Sequence, residues 1–274
     1  MMAWWQHLPE YIDPIAFQVG FFSIRWYALC WLAGFISALW YTLFFQGSNH
    51  LMERSEIVDL YLILFFGALF GGHVGFLLLY QPLLSSEQLV LFFSPLDASG
   101  NWVGVSGMSF HGGLIGALAA LGYFSWSRRA NFLVLADSIA LAAPLALFFG
   151  RIGNFLNGEL PGRITTLPWG MYFPFDVILR HPSTLYEALL EGMVLFCLLF
   201  LAKKRLKNGQ LSALFLVLYG VLRCLVEFFR EPDPGIALLF SLFTRGQVLS
   251  LLMVFSGGLL FLWLRKKNHD KLER

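Results

Sequence analysis

The sequence predicts an all-α, polytopic integral membrane protein of about seven transmembrane helices, with the N-terminus outside and the C-terminus in the cytoplasm. Three observations predict it. Apolar residues make up 58% of the 274 and charged residues only 13%, where soluble domains run near half and a quarter. Seven stretches approach the roughly 20 apolar residues that a helix needs to cross a bilayer. Lysines and clustered arginines fall in alternate connections, as the positive-inside tendency requires.

The spans run roughly over 21–45, 58–80, 107–126, 132–150, 185–202, 211–230 and 246–264. No internal repeat divides them, so residues 1–274 read as one transmembrane domain. The connections 81–106 and 151–184 lie on the outer side. Both mix Pro, Gly and short apolar pieces, which suits packing on the membrane surface. The N-terminus MMAWWQHLPEYIDP has no basic region and no small-residue cleavage site, so the first span is expected to remain in the mature protein. Cys30, Cys197 and Cys224 lie inside apolar runs and imply no disulfide framework.

Orientation follows from the basic residues. Arg54, Arg128, Arg129, Lys203, Lys204, Arg205, Lys207, Arg265, Lys266, Lys267, Lys271 and Arg274 follow spans 1, 3, 5 and 7, which makes 12 of the 19 and includes every lysine. The other seven are all arginines: Arg25, Arg151, Arg163, Arg180, Arg223, Arg230 and Arg245. They fall on the outer side or in the outer halves of spans. Interfacial snorkelling explains one or two such residues. Seven, with no lysine among them, point to bidentate recognition of phosphate or carboxylate.

Polar residues gather in four segments. In span 6, Tyr219, Arg223 and Glu227 recur every fourth residue, and Arg230 follows Glu227 by three; that spacing places them on one helical stripe. Such a stripe in lipid must face the protein interior or a wet cavity. A structural Arg–Glu tie between helices is the plainer alternative. Gly150–Glu159 reads GRIGNFLNGE and is expected to form a polar turn after span 4, beyond a simple glycine C-cap. Ser106–Gly116 reads SGMSFHGGLIG and sets His111 beside two glycines at the edge of span 3. His181–Gly192 reads HPSTLYEALLEG; Ser183 or Thr184 is expected to cap span 5, and Glu187 and Glu191 to pair with arginines of other spans. His73 in span 2 is placed to join the site, and Asp137 reads as a structural group on the cytoplasmic side. The histidines are scattered singly, without ligand spacing, so no metal is expected.

These segments together resemble the prolipoprotein diacylglyceryl transferase family. The resemblance rests on GRIGNFLNGE, on RWYAL at Trp26 and Tyr27, on SGMSFHGGLIG and HPSTLYEALLEG, on YGVLRCLVEFFREPD, and on the GQVLS that opens span 7. The motifs stand in the family's order and cover all seven spans. One departure is His73, where the family usually carries Arg.

The resemblance implies a bacterial inner-membrane enzyme. It would transfer the sn-1,2-diacylglyceryl group of phosphatidylglycerol to the lipobox cysteine of a prolipoprotein that still carries its signal peptide. The product is a thioether and sn-glycerol 1-phosphate leaves, as the first step of lipoprotein maturation. The implied catalytic set is His111, Arg151, Arg223 and Tyr219. The implied substrate-binding set is Arg151, Asn154, Tyr27, Gly162, Glu159, Glu227 and Arg230. No cofactor, metal or nucleic acid is expected.

The chemistry agrees with this reading. A thiol with an ordinary pKa near 8.5 is only a few per cent thiolate at neutral pH, so a base or a positive field is needed. Imidazole is the natural base, and arginines can supply the field; both stay open. Arg151 and Arg223 suit the charge that grows on a departing phosphate. A transporter for an anionic solute is a competing class, yet the inverted repeats common among transporters are not seen. A non-catalytic scaffold leaves the one-sided arginines unexplained.

Overall fold

Apolar runs of this length can satisfy their backbone hydrogen bonds in lipid only as helices or closed barrels, and the chain takes the helical solution. The computed structural model describes residues 4–20, 22–45, 52–80, 94, 107–174, 176–232 and 243–270. A 3-10 turn, Trp4–His7, leads into α1 (Leu8–Tyr11), then β1 (Ile15–Val19) and β2 (Phe22–Arg25). The helices that follow are α2 (Trp26–Phe45), α3 (Arg54–Tyr80), α4 (Phe110–Ser127) and α5 (Phe132–Leu156). The next is continuous: α6 (Ser183–Glu187) passes through a π-helical stretch, Ala188–Val194, into α7 (Leu195–Ala202). The last two are α8 (Gln210–Val226) and α9 (Arg245–Asp270).

Among the described residues, five helices are long and apolar enough to cross a membrane: Trp26–Phe45, Arg54–Leu78, Phe132–Leu156, Ser183–Arg205 and Arg245–Lys267. α8 is apolar but only 17 residues long. Glycines, serines and His111 dilute the hydropathy of α4. The chain is therefore an α-helical membrane protein.

Several sequence expectations need correction. The all-α membrane fold fits, but ahead of its first span β1 and β2 pair into a small two-stranded sheet with Gly20 at φ +61° in the turn. The first transmembrane helix consequently begins at Trp26 rather than at residue 21. α5 does not stop at Gly150; it continues to Leu156, so most of GRIGNFLNGE is helix and the left-handed glycine is Gly158, at φ +67°. α8 ends at Val226, which leaves Arg230 beyond the helix. Neither Ser183 nor Thr184 caps α6 through its side chain; the Ser183 hydroxyl donates instead to the Leu160 carbonyl at 2.9 Å. The connection 81–106 lies outside the described residues apart from Ser94.

The chain divides into two compact units. One, Val19–Phe22 with Gln46–Leu135, contains α3 and α4. These helices pack through glycines that let the backbones touch. A Cβ at Gly116 would lie 2.1 Å from the Gly67 carbonyl oxygen, and one at Gly71 would lie 2.5 Å from that of Gly112. Such small-residue packing replaces the hydrophobic drive that lipid removes. Gly116→Ala is therefore expected to lower the melting temperature in detergent by several degrees. Gly122→Ala, where a Cβ meets nothing within 4 Å, should be neutral or slightly stabilising. Equal melting of the two variants would remove this account of the interface.

The other unit is Met1–Gln18, Ser23–Phe45 and Ala136–Arg274, and among the described residues it holds the other helices, α5 from Ala136 onward. The Asp137 carboxylate accepts the Gly209 and Ser212 backbone N–H groups at 2.6 and 2.7 Å and the Ser212 hydroxyl at 2.5 Å. It thus supplies from α5 the cap that Gly209 cannot give α8, consistent with a structural role. Elsewhere Phe155, Met171 and Phe173 form a buried cluster against which Trp5, Leu8 and Ile12 pack, so the N-terminal segment is fastened to the far end of α5.

Candidate functional site

The helical period of α8 places Tyr219, Arg223 and Glu227 in successive turns of one face. The residues they meet come from other elements. Arg151 projects from the last turns of α5. Glu187 ends α6, and Glu191 lies one turn on, inside the π-helical stretch. Both glutamates are fully buried.

Glu187 is the hub of the cluster. Its carboxylate meets Arg223 Nη1 at 2.5 Å, Arg230 Nη1 at 2.6 Å and Arg151 Nε at 3.1 Å. Glu191 has longer contacts, 3.4 Å from Arg223 Nη1 and 3.6 Å from Arg151 Nη2. Glu227 faces Arg223 Nη2 at 3.0 Å and Arg230 Nε at 3.5 Å. Tyr219 lies one turn before Arg223 on the same face, its ring stacked on that of Phe215 with centroids 5.7 Å apart. Three guanidinium and three carboxylate charges cancel, which is what allows so many to sit together away from water. Removing one partner of such a set strands the others, at a cost of about 3–5 kcal/mol. Arg151 is the most open of the three arginines, with its side chain 20% exposed, and its Nη1 takes no part in these pairs.

Next to this cluster, Asn154 and Asn157 donate their amides to the two oxygens of Glu159, each at 2.9 Å. Asn154 is buried, and the shared carboxylate fixes its amide with Oδ1 left as an acceptor. Tyr27 borders the same stretch of α5, for a Cβ on Gly153 would lie 3.2 Å from Tyr27 Cα.

The segment after α5 is stitched to the end of α8. Gly162 and Arg230 form an antiparallel bridge. Arg163 N donates to the Phe229 carbonyl at 2.9 Å and Arg163 Nε to that of Arg230 at 2.8 Å. Gly162 sits too close for any side chain: a Cβ would lie 2.5 Å from the Phe229 oxygen and 2.6 Å from the His181 oxygen. Arg180 Nη1 donates to the Gly162 carbonyl at 3.1 Å and pairs with Asp176. That hydrogen bond holds the Asp176 carboxyl below its ordinary pKa. His181 Nδ1 lies 3.2 Å from the Tyr186 hydroxyl, and burial lowers the imidazole's pKa.

Of the seven arginines singled out in the sequence, the structure unites Arg151, Arg223 and Arg230. Arg163 and Arg180 tie the loop instead, and Arg25 and Arg245 are exposed. His73 is buried, with Nδ1 3.1 Å from the Gly107 carbonyl. His111, the second residue of α4, is exposed and belongs to the unit that does not contain the arginine cluster. Glu187 and Glu191 were legible as ion-pair partners but not as the centre of the set. Thr244 was missed. Its signal was a Thr-x-x-Gln capping pattern, Thr244 to Gln247.

The chain matches the family model for prolipoprotein diacylglyceryl transferase over residues 14–263. It is 44% identical over 264 residues to the phosphatidylglycerol–prolipoprotein diacylglyceryl transferase of Rhodospirillum rubrum, covering 93% of each chain. Against the protein of that name from Chlorobaculum tepidum it is 40% identical over 277 residues, covering 98% of this chain and 95% of the relative. A third, from Pseudoalteromonas atlantica, is 44% identical over 264 residues, 94% of this chain and 91% of the relative. With seven-eighths or more of the sequence aligned in every case, and the polar segments falling inside the aligned part, the chain belongs to the prolipoprotein diacylglyceryl transferase family.

Proposed function

We propose that the protein transfers the sn-1,2-diacylglyceryl group of phosphatidylglycerol to the thiol of the lipobox cysteine of a prolipoprotein. Family membership supports the reaction, and the observation that carries the chemistry is the Arg151–Arg223–Arg230 cluster held by Glu187. The cysteine sulfur attacks the glycerol carbon that bears the phosphate ester. The C–S bond forms as the C–O bond breaks, and the electron pair leaves on sn-glycerol 1-phosphate. The thiol proton passes to His111. Arg151 and Arg223 stabilise the charge growing on the phosphate, which preorganised donors do best in a site shielded from water. Tyr219 and Tyr27 hydrogen-bond the headgroup or orient the arginines, Asn154 presents its Glu159-fixed amide, and Gly162 lets the backbone approach. Glu159, Glu227 and Arg230 hold these groups in place.

The deciding assay supplies phosphatidylglycerol vesicles and a lipobox peptide to the purified protein. A peptide heavier by one diacylglyceryl group is expected, with release of glycerol phosphate, and EDTA should leave the rate unchanged because arginines take the place of a metal. An unmodified peptide would end this reading. A rate lost to EDTA and restored by one divalent metal would end the metal-free part of it.

The same reading places seven spans in the bacterial inner membrane, N-terminus out, C-terminus in, with the arginine cluster toward the outer side. The basic residues after spans 1, 3, 5 and 7 support that orientation. Reporter fusions at residue 206 and at the C-terminus should score as cytoplasmic, and one near residue 95 as external. An opposite score at any of the three overturns the map.

A further inference from the structure

Resting on that transfer reading, we infer that Thr244 is a positioning residue: its hydroxyl, fixed by capping α9, donates to Glu227 and so sets the carboxylate that orients Arg223 and Arg230. A hydroxyl has one proton to donate and lone pairs to accept with. Here the two capacities serve two different elements. The Gln247 N–H donates to Thr244 Oγ1 at 3.1 Å, and the Thr244 N–H donates back to Gln247 Oε1 at 3.0 Å. That reciprocal pair closes the start of α9. The remaining proton goes to Glu227 Oε1 at 2.9 Å.

Glu227 then divides its work between its oxygens. Oε1 takes the threonine, and Oε2 faces Arg223 Nη2 at 3.0 Å and Arg230 Nε at 3.5 Å. The carboxylate also lies against the first turn of α9: a Cβ on Gly246 would fall 2.5 Å from Oε1 and 2.7 Å from Oε2. The positive end of a helix favours an anion there. Thr244, Gln247 and Glu227 are all buried, so no water replaces a lost donor cheaply. Glu227 is the C-cap of α8, its N–H still donating to the Arg223 carbonyl at 3.1 Å, and α9 adds a second constraint at the carboxylate.

Four substitutions in the full chain separate capping from donation. Thr244→Ser and Thr244→Asn can both cap α9 and donate to Glu227. Thr244→Asp caps well but, ionised, only accepts. Thr244→Val does neither. The facing charged groups are Arg223 and Arg230 from α8 and its end, together with Glu227 itself, whose charge opposes ionisation of a neighbouring aspartate.

The serine and asparagine variants are expected to keep kcat within about threefold of the parent. At about pH 7.5, T244D should melt near the parent temperature and lose about 10-fold in kcat, with little change in KM for phosphatidylglycerol, the pattern of an interaction spent on the transition state. Lowering the pH toward about 5 should narrow the T244D defect relative to the parent, because a protonated aspartate can donate again. T244V should show no such recovery. Full activity of T244D at about pH 7.5, or equal losses in the serine and asparagine variants, would overturn the proposal. A parent protein that leaves the peptide unmodified would remove the transfer reading and this proposal with it, whereas an active parent beside a fully active T244D removes the proposal alone.

Discussion

Arg151→Lys and Arg223→Lys should each lower turnover by about 100-fold, the scale for one preorganised donor at a developing anion, while the protein still inserts and folds. Lysine keeps the charge and loses the planar fork. The geometry gives that loss a specific form. Arg151 reaches Glu187 through Nε and Glu191 through Nη2, and Arg223 reaches Glu187 and Glu191 through Nη1 and Glu227 through Nη2. A single ammonium cannot hold two or three carboxylates and also face a phosphate. The measurement is turnover with phosphatidylglycerol and a lipobox peptide at matched levels of folded protein. Near-normal rates in both variants would show that point charge is enough, and the bidentate account would be given up.

His111→Gln should cut turnover by about 100-fold or more, the usual contribution of a positioned general base, with phosphatidylglycerol binding little changed. The substitution leaves the helix start intact, because Ser109, not His111, accepts the Gly112 N–H at 3.3 Å. If the imidazole removes the thiol proton, free thiolate takes over its work as the pH passes the ordinary thiol value near 8.5. The defect should therefore shrink at high pH. Comparing pH–rate profiles of variant and parent tests this directly. A variant lowered equally at about pH 7 and about pH 9.5 assigns His111 to binding or orientation, and thiol activation then passes to the arginines.

How much of this was legible in the sequence depends on the range over which each feature is decided. The helices could be read because lipid offers the backbone almost no alternative, and the Tyr219–Arg223–Glu227 stripe because a period of 3.6 is a local property. Element ends were less accessible. α5 continues through Gly150 and Gly153 because these glycines admit Trp31, Cys30 and Tyr27 of α2 at close range; the same letters without that neighbour read as a turn. β2 was hidden in what looked like the start of an apolar span, and its partner β1 lies in the stretch just before it.

For the site, the sequence by itself determined that arginines and glutamates must find each other, since none can stand alone in an apolar bundle. It did not determine which. Only the tertiary structure decided that Glu187 would hold three arginines at once, that Arg163 and Arg180 would leave that set to fasten Gly162 beside Arg230, and that Thr244 would reach Glu227 across from α9. The reason is physical. Periodicity tells each helix which face to bury, but a charge's partner is chosen by how the helices pack and where their ends fall, and those contacts join residues far apart in the chain.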